Sequence, residues 1–243
     1  MEFDFDETNN DQKLDHLKKA LLKLADDHTV QGTFPEIARS ADLLREHEPT
    51  ADDDDKEIDF LNLYCAVHGA GSKYSPLERD HLDQKKGYFN HPGGISPLLK
   101  AEPFIRPDSI VADLGAGNGL QGLLFQYLYP HKRTIQIELS ADMIRIGRQF
   151  QEILDIPTQK VAWINDDIMN ISLDDIDFLY LYRPSRPMEK GITLYHNISK
   201  KLHARKTPLT IFSIADCLRD YLNGSYSVFY SDGHLTCFES QAH

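Results

Sequence analysis

The sequence has few cysteines and no long run of apolar residues. Its 243 residues include three cysteines, Cys65, Cys217 and Cys237, and a small, odd number is typical of proteins in a reducing compartment. No apolar segment approaches the ~18 residues that span a bilayer. The acidic start also lacks the basic and apolar regions of a secretion signal. We therefore expect a cytoplasmic protein without a membrane segment.

The sequence also lacks a complete set of metal ligands. Cys65 and His68 have the spacing of half a metal site, but no second pair with matching spacing follows. We therefore expect no bound metal.

Positive charge is scarce, and the deficit lies in the first part of the chain. The net charge is −12; residues 1–58 hold 17 acids against 7 Lys and Arg, and the remainder holds 21 against 19. The broad basic surface of a duplex-binding enzyme is thus missing. A cluster at Lys200, Lys201, Arg205 and Lys206 fits a solvated helix end better than an RNA site. Nucleic acid is a disfavoured partner, although RNA is not excluded.

The most informative segment is a glycine-rich turn behind an apolar strand. Residues 110–114 read as a buried strand with Asp113 near its end, and a helix is expected from Leu120 to Tyr129. Three glycines lie between them at alternate positions: Gly115, Gly117 and Gly119. Glycine lets a ligand approach the backbone, and the following helix points free N–H groups at that ligand. The segment therefore predicts a cofactor site.

Two cofactors use such a turn, and Asp113 distinguishes between them. Gly117, Gly119 and Gly122 match the G-x-G-x-x-G pattern of dinucleotide sites, and Glu138 lies near the expected position of a ribose-binding acid. An anion at Asp113 would repel a pyrophosphate by roughly 1 kcal/mol or more. The same anion favours the ammonium and sulfonium groups of S-adenosylmethionine (SAM). We therefore favour SAM, with NAD as the alternative.

Strands and helices alternate through the second part of the chain. Apolar segments predict five strands, at Ile110–Leu114, Thr134–Glu138, Val161–Ile164, Phe178–Tyr182 and Leu209–Ile214. Helices are predicted at Leu120–Tyr129, Ala141–Leu154, Met188–Leu202 and Asp216–Asn223. Such alternation predicts a parallel sheet covered on both faces.

The end of the chain breaks this alternation. Ser225–Tyr230 and Leu235–Glu239 read as two strands joined at Asp232-Gly233, which predicts an antiparallel hairpin. A nicotinamide-binding domain would continue with another βαβ half instead. The hairpin is therefore a second argument for SAM.

The first hundred residues read as helical. Amphipathic spacing predicts helices over residues 11–27 and Phe34–Glu46, and a third helix is expected at Asp59–Val67. Asp52–Asp55 reads as a charged linker, and residues 72–97 read mostly as loop.

The segment Val111-Ala-Asp113-Leu-Gly115-Ala-Gly117-Asn-Gly119 resembles the first motif of the class I SAM-dependent methyltransferases. The resemblance covers about residues 105–240 and does not assign a subfamily. It implies an α/β fold with a doubly wound, mainly parallel seven-stranded sheet and a C-terminal antiparallel hairpin. The implied organisation is a SAM-binding Rossmann-like domain at 101–243, preceded by an acidic helical extension at 1–100. The extension is expected to form a lid or an acceptor-recognition element.

The resemblance also implies where the cofactor binds. Glu138 is expected to bind the ribose hydroxyls and Asp167 the adenine amino group, with Ile168 and Leu139 against the adenine ring. The whole implied set is Asp113, Gly115, Ala116, Gly117, Asn118, Gly119, Glu138, Leu139, Asp167, Ile168 and Tyr182.

The predicted acceptor side departs from one branch of the family. Amino methyltransferases of nucleic acids usually carry Asn or Asp, then Pro-Pro and an aromatic residue, after strand four. This chain has Arg183-Pro184-Ser185-Arg186-Pro187, which argues against adenine or cytosine N-methylation of the standard kind. Arg183 either binds an anionic acceptor or is an exposed loop charge.

The loop before the first motif is the other expected wall of the site. It carries Tyr88, Phe89, Asn90 and His91, and in many family members this segment folds over SAM; a structural turn is the alternative. No general base can be assigned, and the candidate catalytic residues are Tyr88, His91 and Arg183.

These observations favour a methyltransferase that acts on a small molecule or a protein side chain. A SAM-binding regulatory protein without transfer activity is the alternative, and an NAD-dependent oxidoreductase is a weaker one. The sequence specifies neither the acceptor nor the oligomeric state.

Overall fold

The computed structural model describes residues 10–48, 52–71, 74–88, 91–222 and 224–240. Phe89 and Asn90, expected in the wall of the site, lie outside the described residues.

A seven-stranded sheet forms the centre of the molecule. Its strands are β1 (Ile110–Leu114), β2 (Arg133–Glu138), β3 (Val161–Asn165), β4 (Phe178–Tyr182), β5 (Thr210–Ile214), β6 (Tyr226–Ser231) and β7 (Leu235–Ser240). They lie in the order β3-β2-β1-β4-β5-β7-β6. Strands β1 to β5 are parallel, and β7 runs antiparallel between β5 and β6. The predicted fold class, including the terminal hairpin, is confirmed.

Nine helices accompany the sheet in the described part of the chain. Six precede it: α1 (Asn10–Ala25), α2 (His28–Thr33), α3 (Pro35–His47), α4 (Asp53–Gly69), α5 (Pro76–Gln84) and α6 (Ser96–Lys100). Three connect strands: α7 (Leu120–Leu128), α8 (Ala141–Ile153) and α9 (Lys190–His203). The strand order reverses between β1 and β4, and in such sheets ligands bind at the carboxyl ends of the strands at this point.

Successive residues of each strand enter different cores, as expected for a sheet covered on both faces. On β4, Phe178 packs with Phe125 of α7 and Phe150 of α8, whereas Leu179 packs with Ile198 of α9. The core that contains Phe178 also includes apolar residues from the first four helices: Leu17, Leu21, Leu24, Val30, Ile37, Leu44 and Tyr64. The N-terminal helices therefore share one core with the sheet.

The predicted linker at residues 52–55 is wrong, because α4 begins there. The side chain of Asp52 accepts a hydrogen bond from the N–H of Asp55 at 3.0 Å and so caps the helix. Acidic residues at a helix N-terminus also complement its dipole.

The predicted helix at residues 216–223 is also wrong. Only a 3-10 turn at Arg219–Tyr221 forms in its described part. Ala215 and Asp216 have φ values of 60° and 50°, in the left-handed region. A right-handed helix requires negative φ, so the chain turns after β5 instead of beginning a helix.

Helix α5 lies in the stretch expected to be mostly loop. It begins at a capping box in which Ser75 and Glu78 bond reciprocally, with Pro76 in its first turn. No residue of α5 is buried, so the helix has no apolar periodicity that a sequence pattern can show.

Within the described residues, no helix has the length and the apolar character needed to cross a bilayer.

Candidate functional site

A cavity of about 560 Å³ opens where strands β1, β2 and β4 end. Its volume lies within the range of about 300–1,000 Å³ that is typical of small-molecule sites. Asp113 and the glycine turn form one side, and the residues after β2, β3 and β4 form others. Residues of the N-terminal extension, among them Leu82, Lys85 and Gly87, also line the cavity.

The glycine turn brings the end of β1 close to the end of β4. Gly115 and Gly119 have φ values of 79° and 70°, a backbone conformation that side chains other than glycine rarely adopt. A Cβ at Gly115 would lie 3.2 Å from the Cβ of Pro184, and one at Gly119 would lie 2.3 Å from the ring of Trp163. Both the conformation and the close approach therefore require glycine.

Asp113 is a buried acid beside this turn. Its residue is 2% exposed, and its Oδ2 has no hydrogen-bond partner among the described residues. Burial raises the pKa of Asp113 to about 7, with a further contribution from the nearby carboxylate of Glu138. An unpartnered acceptor that lines a cavity is available to a donor from a ligand. The arrangement suits a cationic donor.

Two further buried polar groups line the cavity without a partner in the described part of the chain. They are Nε2 of Gln121 and the hydroxyl of Tyr180, the residue opposite Asp113 on β4. The Oε1 of Gln121 accepts a hydrogen bond of 2.7 Å from Tyr64 of α4. Each unsatisfied buried group costs about 1–3 kcal/mol. A polar ligand in the cavity would recover part of this cost.

Glu138 connects the end of β2 to the glycine turn. Its Oε2 accepts the N–H of Gly117 at 2.8 Å, and its Oε1 accepts the N–H of Ser140 at 2.9 Å. Burial raises the pKa of this carboxyl above its ordinary value. Each oxygen retains a second lone pair for a ligand hydroxyl.

Asp167 lies after β3 and is held from two sides. Its Oδ1 accepts the N–H of Met169 at 2.9 Å, and its Oδ2 accepts a hydrogen bond from the ammonium of Lys85. Burial would raise the pKa of Asp167, but the contacts with Lys85 and Met169 outweigh it and hold the pKa below its usual range. Lys201 of α9 donates to the carbonyl of Met169 at 2.6 Å and so fixes the same loop.

Two residues of the basic cluster near residue 200 therefore have internal roles. Besides Lys201, Arg205 is 8% exposed and donates to the carbonyl of Ile176 at 2.5 Å. These contacts explain why basic residues lie there without a basic surface.

The three candidate catalytic residues, Tyr88, His91 and Arg183, all line the cavity. The guanidinium carbon of Arg183 lies 5.3 Å from the centre of the Tyr88 ring, and that of Arg186 lies 5.7 Å from it. The rings of Tyr88 and His91 have centroids 6.2 Å apart. The fold therefore brings these three predicted residues to one place.

Asn118 and Gly119 differ from the other residues of the implied cofactor set. They do not line the cavity, whereas the other nine do. The Asn118 amide donates to the carbonyls of Val67 at 2.9 Å and His68 at 3.1 Å, at the end of α4. The structure thus places Asn118 where it anchors the N-terminal extension to the glycine turn.

The extension also supplies cavity residues that the sequence did not indicate. They are His68, Tyr74, Leu82 and Lys85. Burial lowers the pKa of His68 to about 4, so this imidazole is neutral at physiological pH. Local sequence signals for α5, which lies between Tyr74 and Lys85, are the Ser75–Glu78 capping box and Pro76.

A putative RNA methyltransferase from Pyrococcus horikoshii is similar in structure, with a TM-score of 0.51. The two proteins are 14% identical over 71% of this chain and 92% of that one. This chain has the fold of the class I SAM-dependent methyltransferases. At such low identity, the likeness establishes this methyltransferase fold alone.

Two other solved structures give lower scores. TrmN from Thermus thermophilus has a TM-score of 0.49 at 15% identity over 60% of this chain, and the match spans about half of TrmN, 48%. An RNA methyltransferase from Salinibacter ruber in complex with S-adenosyl-L-homocysteine has a TM-score of 0.45 at 15% identity, over 60% of this chain and 88% of that one. No family model and no curated protein matches the sequence.

Proposed function

We propose that the protein is a SAM-dependent methyltransferase that acts on a small molecule or a protein side chain. The observation that carries this proposal is Asp113, a buried acid with an unpartnered oxygen beside the glycine turn. The group disfavours the pyrophosphate of a dinucleotide and favours a ligand with a positively charged donor. SAM carries such donors. When bound, it supplies a methyl group attached to a sulfonium, which is a good leaving group.

The cavity offers a residue for each part of that cofactor. Asp113 would face the cationic amino-acid part, Glu138 the ribose hydroxyls and Asp167 the adenine amino group. Leu139 and Ile168 provide apolar surfaces for the adenine ring, and the remaining lining residues of the set are Gly115, Ala116, Gly117 and Tyr182. Two observations support these assignments: the family resemblance, and the fact that all of these residues line one cavity.

The segment that contains α5 would act as the lid of the site. Lys85 pairs with Asp167, and Gly87 forms a short antiparallel bridge with Ser185. Glu78 also accepts a hydrogen bond from Ser140 at the start of α8. A lid held in this way positions the reactants and excludes water, which is the main task in methyl transfer.

The end of β4 leaves a second candidate function open. Arg183-Pro184-Ser185 replaces a recognised acceptor motif, and no base is assigned among Tyr88, His91 and Arg183. A SAM-binding protein without transfer activity would share the same cofactor contacts.

Methyl-labelled SAM separates the two functions. The full-length chain is incubated with labelled SAM and cell extract, and the label is then measured in the small-molecule, protein and RNA fractions. We expect label in the first or second fraction, and none with the Asp113→Asn variant. No transfer by a chain that binds SAM would support the binding protein, and label confined to RNA would contradict the proposed acceptor.

A further inference from the structure

The charges that line the cavity are separated by sign. The acids Asp113, Glu138, Asp166 and Asp167 come from the ends of β1, β2 and β3. Arg183, which is half-buried, and Lys190, which is exposed, line the part after β4, and neither forms an ion pair with any described residue. The other lining lysine, Lys85, is neutralised by Asp167. The cavity therefore has an acidic part suited to a cationic cofactor and a cationic part whose charges pair with no acid in the described part of the chain.

Arg183 is held in place by the surrounding backbone. Its φ is 29°, in the left-handed region, which is unfavourable for arginine. The next residue, Pro184, accepts the N–H of Tyr88 at 3.2 Å. Ser185 is 2% exposed, and its hydroxyl donates to the carbonyls of Lys85 and Lys86, both at 3.0 Å. Arg183 is thus a fixed part of the wall rather than a loop charge.

Two guanidinium groups gather at one aromatic ring. Arg183 and Arg186 both lie within 6 Å of the centre of the Tyr88 ring, at 5.3 and 5.7 Å. The ring attracts each cation, so both positive charges are held beside Tyr88. Arg186 also forms no ion pair with a described residue. An anion bound beside the ring would neutralise this positive charge.

We propose that Arg183, with Lys190, binds a carboxylate or phosphate group of a small methyl acceptor. The inference rests on the proposed function, because the acidic part of the cavity must hold SAM for an acceptor to lie beside it. Arg183 is then a specificity-determining residue for the acceptor. The Tyr88 and Tyr182 rings, which line the same part, provide an apolar surface for the rest of the molecule.

The structure favours a small anion over a nucleic acid. A bound strand needs several phosphate contacts along a basic surface. The chain carries a net charge of −12, and Lys201 and Arg205 of its basic cluster are engaged with backbone carbonyls. The cations that line the cavity after β4 are sufficient for one anionic group.

Aromatic probes test the subsite directly. The full-length chain is saturated with S-adenosylhomocysteine (SAH) and titrated with phenyl phosphate, benzoate and benzylamine. We expect at least one of the two anions to bind and benzylamine not to bind. The stronger anion identifies phosphate or carboxylate as the preferred group. Arg183→Gln should weaken its binding by roughly 10-fold or more, since a charge-assisted hydrogen bond is lost.

Two variants control for folding and for general charge effects. Arg183→Lys should retain most of the anion binding, and Arg145→Gln, at a side chain 72% exposed on α8, should leave it unchanged. Both Arg183 variants should bind SAH as tightly as the original chain.

Several results would overturn the inference. Binding of neither anion, or equal binding of benzylamine, would remove the subsite. Weaker SAH binding by Arg183→Gln, with Arg183→Lys restoring it, would assign Arg183 to the carboxylate of the cofactor. If an eight-nucleotide RNA binds more tightly than either anion, and Arg183→Gln weakens that binding, the acceptor is a nucleic acid and not a small molecule. Failure of the original chain to bind SAH would refute the proposed function itself.

Discussion

Asp113 combines burial, an unpartnered oxygen and a position beside the glycine turn. Its pKa of about 7 makes it partly protonated at neutral pH in the unliganded chain. A cationic ligand favours the ionised carboxylate, so ligand binding and proton release are linked at this residue. This linkage gives the proposed cofactor selection a measurable pH dependence.

The affinity for SAM should rise between about pH 5 and pH 7. Below pH 7 most of Asp113 is protonated, and binding must release this proton, which weakens binding by up to about tenfold per pH unit. Calorimetric titration across this range measures the slope. Asp113→Asn should bind SAM more weakly and without the slope, whereas Asp142→Asn, on the surface of α8, should keep it. A slope that survives in Asp113→Asn would contradict the assignment.

Asp113 should also make the folding stability depend on pH. The stability should fall as the pH rises, whereas the affinity for SAM should increase. Because the folded pKa lies above the ordinary value of 3.8, the protonated acid stabilises the fold. This contribution is complete below about pH 4 and is lost as the pH rises to about 7; its size is at most about 4 kcal/mol. Urea unfolding should therefore show a smaller decline for Asp113→Asn than for the original chain. If the unfolding free energies of the two chains decline equally with pH, the pKa of Asp113 is not raised in the folded chain.

Asn118 should be a stability residue. Its amide contacts the carbonyls of residues 67, 68 and 70, so Asn118→Ala would leave buried acceptors unsatisfied. We expect a loss of about 1–3 kcal/mol in the free energy of unfolding. Asn170→Ala, which removes only an exposed hydrogen bond to Asp166, should cost far less. Equal effects of the two substitutions would contradict the anchoring role.

At the scale of elements, the lid depends on a few polar contacts. No residue of α5 is fully buried, although Leu82 packs against the core. The segment is also held by Lys85–Asp167, by Glu78–Ser140, and by the hydrogen bonds of residues 85–88 with residues 184–186. Elements with few apolar contacts open most readily. We therefore expect the proposed lid to open more readily than the strands that form the rest of the site.

Removing the Lys85 charge should loosen the lid. In Lys85→Gln, amide hydrogens of residues 76–88 should exchange faster, and high salt should have the same effect on the original chain because it screens the pair. Hydrogen exchange read by mass spectrometry measures this, with the exposed Lys19→Gln as the control. Unchanged exchange in Lys85→Gln would show that the pair does not hold the lid.

Elements with their own periodicity could be predicted from the sequence, and the others could not. The strands and the hairpin follow from apolar runs and the Asp232-Gly233 turn, and Asp113 and Glu138 are located by those strands. Helix α5 contains no buried residue, so no apolar pattern indicates it. After β5, two residues with left-handed φ form a turn where a helix was expected. His68 and Lys85 line the cavity through contacts between distant segments, for which the sequence contains no local signal.

At the scale of the whole molecule, the N-terminal helices and the sheet share one core, and we expect them to form one cooperative unit. Leu21 and Tyr64 belong to the same buried core as Phe125 and Phe178, and Asn118 connects the two parts. A shared core is expected to unfold in a single step. The acidic extension is therefore a structural part of the site.

One spectroscopic comparison tests this cooperativity. The chain has one tryptophan, Trp163 on β3, so its fluorescence reports on the sheet, whereas circular dichroism at 222 nm reports mainly on the helices. We expect coincident urea transitions, and Leu21→Ala should shift both by about 2–5 kcal/mol. An early helical transition that leaves the fluorescence unchanged would show that the extension folds separately.

The central claim is that the glycine turn beside Asp113 selects SAM. Calorimetric titration of the full-length chain with SAM, SAH and NAD tests it most directly. We predict saturable binding of SAM and SAH at one site, no binding of NAD, and loss of most SAM affinity in Asp113→Asn but not in Asp142→Asn. Binding of NAD without binding of SAM or SAH would contradict the account.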